Sequence, residues 1–77
     1  MMVLTDVFGN KFKAKFLFTH FDYRFSKNYI VYTIDDDLLA SSYEEVDGNY
    51  IIDNDLSSNE YDMIDRVIEE KLGDSNA

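Results

Sequence analysis

Apolar and polar residues alternate from Lys11 to Thr19. Phe12, Ala14, Phe16 and Phe18 fall on one face of an extended chain, and Lys11, Lys13, Lys15, Leu17 and Thr19 on the other. The spacing predicts a long antiparallel strand with an aromatic inner face and a solvated, partly basic outer one, which Leu17 interrupts. Residues 29–34 (Tyr-Ile-Val-Tyr-Thr-Ile) are apolar on both faces and rich in β-branched and aromatic side chains, so this strand is expected at the centre of a sheet. Residues 39–46 predict a further strand. Residues 50–52 predict a short partner for it across Asp47, Gly48 and Asn49, a turn built from residues that tolerate positive φ. Residues 3–5 are expected as an edge strand paired with residues 11–16, across a turn over residues 6–10. Residues 22–28 form the least regular connection and carry Tyr23, Arg24 and Phe25.

The period then changes. Tyr61, Ile64, Val67, Ile68 and Leu72 recur at helical spacing with charged residues between them, which predicts a helix over about residues 58–72. Ser57 and Glu60 stand at capping-box spacing, Lys71 falls in the last turn, and Gly73 follows where a helix commonly ends. Residues 74–77 are expected to fray. The order predicts one small α+β domain spanning residues 1–77, with its strands within residues 2–53. Its form is an antiparallel β-meander of four to five strands with one C-terminal helix packed on the sheet.

Charge refines this picture. Of 77 residues, 16 are acidic and 7 basic, for a net charge of −9. Residues 1–34 hold five of the cations and two of the acids; residues 35–77 hold fourteen acids and two cations. The opposed halves favour docking on one another, and the acidic surface disfavours nucleic acid and anionic lipid as direct partners. With 45% hydrophobic residues the chain is too apolar for a disordered polyelectrolyte. It has no cysteine, which excludes disulfides, thiolate metal sites and cysteine nucleophiles. The N-terminal residues lack a secretory pattern and no apolar run approaches a membrane span, so a cytoplasmic protein is expected.

No catalytic constellation can be named. His20 is the single histidine and has no cysteine or second histidine to share a metal with. Ser41 and Ser42 sit in no nucleophile elbow, and the carboxylates are too many to single out an acid–base pair. Asp53, Asn54 and Asp55 open like a calcium-binding loop, but Ser58 stands where that loop needs glycine and Ile64 where it needs glutamate. Lys11, Lys13 and Lys15 lie on the opposite face from the phenylalanines, so the two sets cannot cooperate on a single-stranded nucleic acid. No catalytic, cofactor or metal site is therefore assigned. Candidate partner-binding residues are Leu17, Tyr23 and Phe25, as apolar groups on an outer face or loop, and Asp62, Asp65, Glu69 and Glu70, as carboxylates spaced along a helix.

Five stretches occur in an order that resembles the YrzB-like family of small acidic bacterial proteins. They are the turn from Thr5 through Asp6 and Gly9 to Asn10, the Lys-Asn-Tyr-Ile-Val-Tyr run at 27–32, and the acidic break at Asp35, Asp36 and Asp37. The turn from Val46 through Gly48 to Tyr50 and the acidic helical segment from Asp62 to Leu72 complete it. The resemblance implies a cytosolic sheet-plus-helix domain and brings no catalytic residues. The sequence thus points to a non-enzymatic interaction module, an adaptor or modulator, with another protein as partner. The alternative is a nucleic-acid mimic whose acidic C-terminal half inhibits a DNA- or RNA-binding protein. Residues 3–5, as an edge strand, would also offer a place for a second copy to pair.

Overall fold

In the computed structural model, which describes residues 1–73, the alternating segments form five strands and the C-terminal segment a helix. They are β1 (Met2–Asp6), β2 (Lys11–Asp22), β3 (Lys27–Ile34), β4 (Asp37–Val46), β5 (Asn49–Asp53) and α1 (Ser58–Leu72). The tail expected to fray lies outside the described residues. No described helix is long and apolar enough to cross a membrane. Two hairpins turn on paired positive-φ residues, Asp35 and Asp36 between β3 and β4, and Asp47 and Gly48 between β4 and β5. That backbone hand suits the right-handed twist of the flanking strands.

The strands do not lie open as a meander; they close into a barrel in the order β1-β2-β3-β4-β5. β1 pairs with β2 as expected, Val3 opposite Lys13 and Leu4 opposite Phe12. Its other edge pairs in parallel with β5, Leu4 opposite Tyr50 and Asp6 opposite Ile52. The parallel pair follows from counting. Successive hairpins reverse direction, so the first and fifth strands run the same way, and a five-strand meander can close only through a parallel seam. The expected edge strand is therefore paired on both sides from Leu4 to Asp6, where β5 occupies the place it offered to a second copy. Following the register from Phe21 through Asn28, Tyr43 and Ile52 to Asp6 returns to the opposite end of β2, where the Asp6 N–H donates to the Asn10 carbonyl at 2.9 Å. Strands tilted this way need one long enough to serve both ends, which is the role of the twelve-residue β2.

Two cores result. Leu4, Ala14, Ile30, Tyr32 and Ile52 fill the barrel. Tyr29 and Val31 face the opposite way and meet Leu56, Met63, Ile64 and Val67, so α1 covers the outside of β2, β3 and β4. β3 is thus buried on both faces, as its composition predicts. β2 departs from the simple alternation: Phe16 pairs with Tyr32 and Phe18 with Val31, which leaves Leu17 as the extra residue of a bulge. Leu17 and Phe18 consequently both pack against the helix-side core. Leu17 does not interrupt a solvated face, and Phe18 does not share the face of Phe12 and Ala14.

The capping box forms as predicted: the Glu60 N–H donates to Ser57 Oγ at 3.2 Å and the Ser57 N–H to Glu60 Oε1 at 2.9 Å. Gly73 ends the helix at φ +75°, its N–H donating to the Glu69 carbonyl. The buried stripe is rotated from the expected one. Glu60, Met63, Ile64 and Val67 point inward, whereas Tyr61 and Leu72 are about half exposed. The reason is Glu60, which the fold draws into the interface.

Candidate functional site

Glu60 is only 5% exposed and serves four hydrogen bonds. Besides the two of the cap, its Oε2 accepts the Tyr29 hydroxyl at 2.6 Å and Lys27 Nζ at 3.0 Å. The bond from the Ser57 N–H, then those from Tyr29 and Lys27, overcome the cost of burial and hold its carboxyl at about 2. Burial and the neighbouring carboxylate push the Tyr29 phenol well above its usual range. This is a pin between helix and barrel, built on a stable charge.

The remaining helix carboxylates face outward. Asp62, Asp65, Glu69 and Glu70 are exposed, and among the described residues none of them is ion-paired. Spacing by three and four places Asp62, Asp65 and Glu69 on one face. The other expected partner residues separate. Tyr23 is 88% exposed at the tip of the β2–β3 turn, its ring edge-on to Phe21 at 5.3 Å. Phe25, three residues into the same turn, packs against the helix-side core with the Arg24 guanidinium 5.5 Å from its ring centre. Leu17 and Phe25 thus have their partners within the fold.

The polar residues considered for chemistry are likewise absorbed. Ser41 is fully buried in the barrel, hydrogen-bonded to the Tyr32 hydroxyl at 2.7 Å and to the Asn54 carboxamide. Asn54 is itself exposed, but its carboxamide oxygen reaches in to Ser41. In the segment that opens like a calcium loop, Asp53 Oδ1 accepts the Asp55 N–H at 2.9 Å and Asn54 bonds Ser41, while the Asp53 and Asp55 side chains stay exposed. No group of three or more metal-ligating side chains occurs among the described residues. His20 Nε2 is buried without a hydrogen-bond partner, 3.7 Å from an Asp22 carboxylate oxygen.

One feature of the surface is not evident from periodicity. The β1–β2 turn is held by Asp6, whose Oδ1 accepts the Phe8 and Asn10 N–H groups at 2.9 Å each, with Gly9 at φ +89°. It presents Phe8 85% exposed and Val7 56% exposed. Only the presence of two apolar residues inside a turn motif could have marked them. Compared with protein-family models, curated proteins and solved structures, the chain matches none.

Proposed function

We propose that the chain is a protein-interaction module, an adaptor or modulator without catalytic chemistry of its own, which meets a basic partner through the solvent face of α1. The observation that carries this is the set of exposed carboxylates Asp62, Asp65, Glu69 and Glu70, which make no ion pair among the described residues, on a helix capped at both ends and docked by its opposite face. The fold uses Glu60 and has no use for the others. Leu17 and Phe25 leave the proposed contact set because they are partly buried against the helix-side core; Tyr23 remains in it. The resemblance of five sequence stretches to the YrzB-like family stays part of the proposal.

The same carboxylates favour a second reading, mimicry of a nucleic acid. Asp62, Asp65 and Glu69 rise about 4.5 and 6 Å apart along a rigid rod and can occupy a basic groove built for phosphates. The test is affinity purification from native cytosol at low and high salt, with the native chain beside one carrying Asp62→Asn, Asp65→Asn, Glu69→Gln and Glu70→Gln. The module reading expects a partner that the quadruple variant no longer retains. Mimicry adds that this partner binds DNA or RNA, that nucleic acid competes with the chain, and that added salt abolishes binding. Full retention by the quadruple variant overturns a role for the helix face.

A further inference from the structure

Phe8 is the least buried of the six phenylalanines, 85% exposed where Phe16 and Phe21 are about half exposed, and its turn does not need it. The hydrogen bonds that shape the turn run from the Phe8, Gly9 and Asn10 amides to Asp6, and no ring atom takes part. The phenyl group is therefore displayed on a stiff support, which lowers the entropy cost of burying it in another molecule. Tyr23 is as exposed, but its hydroxyl is at home in water and its ring leans on Phe21. Phe8 has no polar end.

Its surroundings are shaped. On one side of the turn a hollow of about 470 Å³ lies between Phe8, Ile52, Asp53 and Asp55. On the other, a groove of about 350 Å³ runs past Lys27, Tyr43, Glu44 and Ile51. Both share Val7 and Asp53, so the two hollows adjoin beside the turn. The lining of both hollows is mainly acidic: Asp53, Asp55 and Glu44 are exposed, and the one cation among the lining residues, Lys27, is bound to Glu60 at 3.0 Å.

The geometry points to Phe8 as the anchor of a docking surface for a folded protein that offers an apolar pocket rimmed by lysine or arginine. The pocket takes the ring, and the basic rim meets Asp53 and Asp55. This rests on the interaction-module reading and adds to it a second contact, carried by the β1–β2 turn in place of the helix. A side chain that fills a desolvated pocket near the centre of an interface commonly carries much of its binding energy, and an aromatic ring supplies the largest apolar area for that.

The experiment places the photoreactive side chain p-benzoylphenylalanine at position 8 of the full chain in native cytosol, with the exposed positions 38 and 46, in the β3–β4 and β4–β5 hairpins, as controls. It then purifies any protein cross-linked from position 8 alone and titrates it with the native chain, with Phe8→Ala, with Asp53→Lys plus Asp55→Lys, and with the helix quadruple variant. Phe8→Ala removes an exposed ring, so its melting curve should overlay the native one. The proposal expects Phe8→Ala and the double reversal each to weaken binding by about tenfold or more, and Phe8→Leu to restore part of it. Binding of Phe8→Ala within about twofold of native overturns the proposal, as does the absence of any adduct specific to position 8. If the helix variant loses a partner that Phe8→Ala keeps, the Phe8 surface fails while the module reading stands. If no partner is found by either route, both fail.

Discussion

At the residue scale Glu60 does the most. Its spacing from Ser57 makes the cap legible in the sequence, but its second task, receiving Tyr29 and Lys27, joins positions 31 and 33 apart and depends on how the helix sits on the sheet. Glu60→Ala leaves the Tyr29 hydroxyl buried without its acceptor and removes half the cap. A loss of about 2–4 kcal/mol is expected, which thermal unfolding would show as a fall of at least roughly 10 °C in Tm. The pH dependence has a definite sign. The folded carboxyl sits at about 2, below its unfolded value, so the stability it contributes is complete above about pH 4.5 and is lost as pH falls from there toward 2. Acid titration of the native chain and of Glu60→Gln, followed by circular dichroism, should show this slope in the first and a shallower one in the second. Tyr32→Phe offers a parallel test inside the barrel. It strips a partner from the fully buried Ser41, and a cost of about 1–2 kcal/mol in denaturant unfolding is expected.

At the element scale two patterns were readable and two were displaced. The change from period two to period 3.6 marks where the strands end and α1 begins, and the apolar run of β3 announces a strand buried on both faces. The bulge at Leu17 is silent in the pattern, because a Phe-Leu-Phe run reads as unbroken alternation whether or not a residue is looped out. Only pairing of Phe16 with Tyr32 and Phe18 with Val31 reveals it. The helix stripe was displaced for a different reason: Tyr61 and Met63 are both apolar, and which one faces the barrel is settled by the pull of Glu60 toward Tyr29. Met63→Ala should therefore cost about 2–4 kcal/mol, whereas Tyr61→Ala should cost under about 1 kcal/mol, since the tyrosine contributes one exposed hydrogen bond to the Asn54 carbonyl. A stripe built on Tyr61 would reverse that ranking in the same unfolding measurement.

At the scale of the whole molecule, closure and charge dominate. An edge strand would leave every second amide of β1 open to solvent, but pairing on both sides covers them. Hydrogen exchange should find the consecutive amides of Leu4, Thr5 and Asp6 all slow. The net charge of −9 opposes compaction, so raising salt from about 10 mM to 0.5 M should raise Tm by a few degrees as repulsion is screened; a fall would mean that the Lys27–Glu60 pin outweighs it. The sequence by itself determined what depends on neighbours along the chain: the positive-φ turns at Asp47 and Gly48, the Ser57 cap, the Gly73 stop, the two-faced β3 and the acidic solvent side of α1. Tertiary structure alone decided the parallel seam of Leu4 with Tyr50, the face on which Leu17 and Phe18 lie, the inward turn of Glu60, and the exposure of Phe8 beside Asp53. Each of these is an energy shared between residues far apart in the chain, and periodicity carries no information about which distant partner a side chain will meet.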